Sequence, residues 1–99
     1  MNKLLMTAAA AALLAAAGMA QAQDAQAVAK DAGCLKCHQM NTKKTGPSIK
    51  SIAADYKKAG LKADDKAVAR MKEKHEPEDL KNVKSDADIK KALEYFLAQ

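Results

Sequence analysis

From residue 24 onward the apolar positions recur every three or four residues between Gly, Pro and polar clusters, the period of helices and not of strands. Asp24 to Ala32 sets Ala25, Val28, Ala29 and Ala32 on one face, and Gly33 stands where that helix would end. A second helix is expected over Ser48 to Lys58, with Ile49, Ile52, Ala53 and Tyr56 together and Gly60 after it. Asp64 begins a third, in which Val68, Met71 and His75 follow at i, i+3 and i+7. Pro77 should stop that helix, because a proline pushes the residue before it out of the α region, leaving Glu76 outside. In the last segment Ser85 suits an N-cap, and Asp86 and Asp88 suit the positive end of a helix dipole. There Ile89, Ala92, Leu93, Phe96 and Leu97 make one apolar stripe. Asn41 to Pro47 is polar, ends in Gly-Pro and reads as a loop. The expected fold class is all-α, about four helices with no internal repeat.

The first 22 residues follow another pattern. Met1, Asn2 and Lys3 make a short basic start, Leu4 to Ala17 is an apolar run of 14 residues, and Ala20-Gln21-Ala22 is a small-x-small cleavage pattern. The run falls short of the roughly 18 residues of a membrane span and has no stop-transfer charges after it. We therefore expect a secretory signal peptide over 1–22, cleaved after about Ala22, one domain over 23–99 and no stable membrane insertion.

A domain of 77 residues gains little margin from apolar burial alone and needs a disulfide, a metal or a cofactor. Its only aromatics are Tyr56, Tyr95 and Phe96, and Ala supplies much of its hydrophobic fraction. A large flat cofactor would fill that deficit. The formal charge of the chain is +5; losing Lys3 leaves sixteen basic residues against twelve acidic ones, a net +4. The lysines are scattered among Asp and Glu without stacking aromatics, which, with export, excludes nucleic acid as the natural partner. No nucleophile and base pair or carboxylate dyad stands out, so no enzyme is expected.

Cys34-Leu35-Lys36-Cys37-His38 is C-x-x-C-H, the attachment pattern of a covalent c-type haem. Cysteines three apart project their sulfurs to one side, towards two neighbouring vinyl groups of a porphyrin edge, and the adjacent imidazole reaches the iron. A thioredoxin-type Cys34 to Cys37 disulfide lacks the βαβ pattern that accompanies it. A tetrahedral zinc site would need a second ligand pair, and His75 stands alone far along the chain. Free thiols fit poorly with export.

With these residues in place, the sequence resembles the class I cytochromes c, especially the short bacterial ones of the c-551 or c-8 type. The likeness rests on the helix running into Gly33-Cys34, the Cys34 to His38 motif, Gly46-Pro47, Ala53-Ala54 to Tyr56-Lys57, and the final Ser85-Asp86 to Leu97-Ala98-Gln99 helix. It implies first and last helices crossing near Gly33 and Tyr95-Phe96. It further implies that the Pro47 carbonyl accepts the Nδ1 proton of His38, leaving Nε2 for the iron of one haem.

The usual methionine ligand of that family is missing here. Glu76-Pro77-Glu78-Asp79-Leu80-Lys81-Asn82-Val83-Lys84 stands in its place. Met40 is two residues past His38 and tied to the near side, so Met71 and His75 remain, four apart on one side of the third helix. His75, at the helix end, is the preferred second metal ligand, with Met71 the runner-up and an open position, including Asn82 or a lysine, the third case. Two strong ligands suit a periplasmic carrier of single electrons; a labile or open position would suit a binder or sensor of NO, CO or O2. The expected partners are donor and acceptor redox proteins, with Lys36, Lys43, Lys44, Lys72 and Lys74 as a docking face for acidic surfaces, and the carrier is expected to be a monomer.

Overall fold

Ala25 and Ala29 are buried on the first helix, and Ala32 is buried just past its end. The structure is a computed structural model, and it describes residues 24–99; the expected leader over 1–22 lies outside them. Helix α1 covers residues 24–31. It is followed by a 3-10 turn at Cys34–Lys36, then α2 (Ile49–Lys58), α3 (Asp65–Glu73), a second 3-10 turn at Pro77–Leu80, and α4 (Asp86–Leu97). Among the described residues the only β pairing is an isolated bridge between His38 and Lys43.

Helix α4 is the spine. Its Ile89, Ala92, Leu93 and Phe96 are buried, and Ile49, Ile52 and Tyr56 of α2 join Ala67, Val68 and Met71 of α3 in the same cluster, with Ala29 of α1. Phe96, Ile49 and Leu93 are its largest fully buried side chains. An ion pair from Lys91 of α4 to Asp24 of α1, at 3.6 Å, ties the first helix to the last. Lys90 to Asp65 at 3.2 Å and Lys72 to Asp86 at 3.1 Å lace α3 to α4.

The helix starts have local causes. The Ser48 hydroxyl accepts from the Ser51 N–H at 3.1 Å, and the Asp64 carboxylate accepts from the Ala67 N–H at 3.0 Å. Ser85 sits at the N-cap of α4 but makes no side-chain cap bond. Instead Asp88 reaches back to the Lys84 N–H at 3.1 Å.

The third helix is shorter than its apolar spacing suggests. It ends at Glu73 with Lys74 as C-cap, so His75 lies past the helix and Pro77 opens the following 3-10 turn instead of ending α3. The N–H of Lys74 closes on Arg70 O and Lys72 O, a tightened last turn that stops the helix before the proline is reached.

Candidate functional site

Gly33 has φ of +87°, which only a residue without a Cβ takes up readily, and it turns the chain from α1 straight into the Cys34–Lys36 turn. That turn holds the motif together: the N–H groups of Cys37 and His38 both bond to Cys34 O, at 3.3 and 3.1 Å. Cys34 and Cys37 are half-buried free thiols facing one cleft. Burial pushes the Cys34 thiol up; its backbone hydrogen bond works against this, and the neighbouring Cys37 adds to it. The pair is not joined as a disulfide.

His38 is buried, and its Nδ1 lies 2.7 Å from the Pro47 carbonyl. A carbonyl only accepts, so Nδ1 carries the proton and Nε2 keeps its lone pair. The loop between them is folded back by the Gly46 N–H to Cys37 O at 2.9 Å and the Ile49 N–H to Gln39 O at 2.8 Å. Phe96 sets its ring at 74° to His38 with centroids 5.7 Å apart. Gly46 lies against the imidazole so closely that a Cβ there would come within 2.8 Å of Nδ1.

His75 faces His38 with ring centroids 6.1 Å apart and planes at 64°. Its Nδ1 lies 2.7 Å from the Met71 carbonyl, which leaves its Nε2 free as well. Two imidazoles bonded through Nε2 to opposite sides of one metal, at about 2 Å each, would hold their centroids roughly 6 Å apart. Met71 is a buried core residue that also lines the cleft, so the structure brings both candidate ligands to it.

The cleft between the histidines has a volume of about 800 Å³, inside the range of roughly 300–1,000 Å³ typical of sites for sizeable organic ligands. Ile52, Ile89, Val83 and Phe96 give it apolar walls. Arg70, missing from the sequence reading, also lines it: the guanidinium stands 5.1 Å over the Tyr56 ring, and its buried Nε has no hydrogen-bond partner. A buried donor so placed can meet an acceptor inside the cleft. One signal pointed to it, since Arg70 is the single arginine among seventeen basic residues, and only Arg offers a planar fork that stacks on an aromatic.

Among the described residues no three His, Cys, Asp or Glu side chains converge as a metal site, so the zinc alternative has no closed donor set. Two opposed imidazoles supply two donors only; a metal between them must bring the rest on a planar ligand. A haem does so, and its apolar ring, two carboxylates and two vinyl groups match the walls, Arg70 and the paired thiols.

The family model described as cytochrome c matches residues 22–98. The chain belongs to the cytochrome c family. It is a small class I c-type cytochrome, all-α as expected, and its cofactor is a covalently bound haem c with iron. It is 56% identical to cytochrome c-552 of Nitrosomonas europaea over 47 residues, which are 48% of this chain and 44% of that protein. It is 39% identical to cytochrome c-551 of Pseudomonas aeruginosa over 46 residues, 46% of this chain and 44% of that one. The matched stretches thus span less than half the length of either relative. No solved structure matches the chain.

Proposed function

We propose that this cytochrome is a periplasmic carrier of single electrons with two histidines on its iron. The opposed pair of imidazoles carries this reading: His38 and His75 stand 6.1 Å apart across the cleft, each with Nδ1 engaged and Nε2 free. Cys34 and Cys37 would hold the cofactor by thioethers, each S–H adding across a vinyl C=C so that no oxidant is needed. The bound haem supplies the one-electron couple of its iron. His38 and His75 would be the two protein ligands of that iron, and Phe96 and Gly46 keep the His38 ring in place. Two imidazoles should also hold the potential below that of a histidine and methionine pair.

In this reading the leader over 1–22 directs export and is removed after about Ala22, leaving the haem domain over 23–99. The carrier works as a monomer between a donor and an acceptor redox protein with acidic faces. Lys36 and Lys74 at the cleft and the exposed Lys43 and Lys44 supply the docking charge. Lys72 completes the set, half-exposed and paired with Asp86 between α3 and α4.

The test is a pyridine haemochrome spectrum with the intact mass of protein from haem-competent periplasm. One covalent haem on a chain starting at Gln23 is expected, and an unmodified mass would sink the attachment. Carbon monoxide added to the reduced protein separates a carrier from a gas binder: inertness is expected, and rapid complete binding would reverse the choice.

A further inference from the structure

We propose that the open C-terminal end of α3 is a positioning device that sets the ring plane of the second iron ligand. The inference rests on the reading of His75 as that ligand and concerns what holds it. In a longer helix the Met71 carbonyl would accept the N–H of residue 75. Here the His75 N–H turns to Lys72 O at 3.4 Å, and the Met71 carbonyl accepts the side-chain Nδ1–H at 2.7 Å instead. The early end of α3 therefore exposes one carbonyl, and the imidazole four residues on caps it.

This bond does two things. It fixes the tautomer, since only Nδ1–H can pair with a carbonyl, and it fixes rotation about the ring axis, since turning the ring breaks the bond. His38 is held the same way by the Pro47 carbonyl. The two backbone carbonyls leave the planes crossed at 64°. The hydrogen bond that sets His75 comes from the last turn of α3, ahead of the 76–84 segment that replaces the usual ligand loop.

Crossed and coplanar imidazole pairs differ in their electron paramagnetic resonance. Crossed planes leave the two π-type iron d orbitals nearly equal in energy, which gives a low-spin ferric signal dominated by one large g value. Coplanar rings split them and give three resolved g values. The ferric holo-protein is expected to show the crossed-plane signal, and a coplanar one would overturn the proposal.

Lys74→Pro tests the device itself. It removes the Lys74 N–H bond to Arg70 O and crowds that carbonyl, unwinding the last turn of α3 while touching neither imidazole. A displaced low-spin signal with the haem mass intact is expected; an unchanged signal would overturn the role of the helix end. Should that variant yield no holo-protein, nitrogen-15 spectra of the wild type decide. A slowly exchanging Nδ1–H assigned to His75, and lost in His75→Met, supports the proposal, and its absence overturns it. A high-spin ferric signal, or the far-red band of a sulfur ligand, would instead remove His75 from the iron and take the ring setting with it.

Discussion

Gly46 packs against the ring of His38 so tightly that a Cβ would lie 2.8 Å from Nδ1 and 3.1 Å from Nε2, with Cε1 nearer still. The need is for space and not for backbone freedom, because the glycines with positive φ among the described residues are Gly33 and Gly60. The ring cannot give way cheaply. Pro47 O holds its Nδ1 and Phe96 stands on another side.

Gly46→Ala should therefore cost about 1–3 kcal/mol, the usual penalty of overpacking a filled site, and lower the yield of holo-protein. Pro47→Ala keeps the carbonyl that His38 uses and should cost only about 0.4–1 kcal/mol through the looser unfolded chain. Denaturant midpoints of the two holo-variants test the contrast. Equal losses would mean that loop stiffness, and not room beside the imidazole, is what Gly46 provides.

The caps of α3 and α4 lead to a second contrast. Asp64→Ala removes the acceptor of the Ala67 N–H and should cost about 1 kcal/mol, while loosening the helix whose far end carries His75. Ser85→Ala removes no cap bond and should stay within about 0.5 kcal/mol. Asp88→Ala, which frees the Lys84 N–H, should cost more than the serine change. Thermal melts of the three variants rank them, and a Ser85 variant less stable than the Asp88 one would contradict this assignment of the cap.

The helices and the Cys34 to His38 motif were legible because both are local. Apolar spacing marks a helix face whatever lies across from it, and C-x-x-C-H needs only five neighbouring residues. The Pro47 carbonyl followed from resemblance, and the structure puts it 2.7 Å from Nδ1. What escaped depended on local competition for backbone groups or on contacts between distant segments. Nothing in the spacing of Val68, Met71 and His75 says that α3 stops at Glu73, because a tightened last turn keeps His75 near the same side after the helix has ended. The place of Arg70 over Tyr56 and the fit of Gly46 to His38 needed the fold. Ser85 looked like a cap by residue type, yet the competition was won by Asp88.

Met71 offers two different groups to the site, and they can be told apart. Its carbonyl holds His75, whereas its sulfur is the rival ligand. Met71→Leu keeps the carbonyl and nearly the same volume, so it should cost under about 1.5 kcal/mol and leave two imidazoles on the iron. His75→Ala should instead convert the ferric protein to high spin and open the reduced protein to carbon monoxide. Absorption spectra of both variants decide, and a Met71→Leu protein that loses its low-spin bands would hand the iron to the sulfur.

Tyr56 gives the stability of the domain an alkaline limit. Burial pushes its phenol above the ordinary value of 10.0, and the Arg70 guanidinium over the ring opposes this only in part. The folded protein thus holds the phenolic proton more tightly than the unfolded chain does. Below pH 10 both states keep the proton and the group leaves stability independent of pH. Above it the unfolded chain ionises first, so stability falls as pH rises until the folded phenol ionises too. Tyr56→Phe should remove this share of the fall. Denaturant midpoints of wild type and variant, compared from pH 8 to pH 11, should run parallel up to about pH 10 and then diverge, with the wild type dropping faster. Curves that stay parallel throughout would mean that burial leaves no net shift on the phenol, and a wild type that gains on the variant would mean that the Arg70 pair outweighs burial.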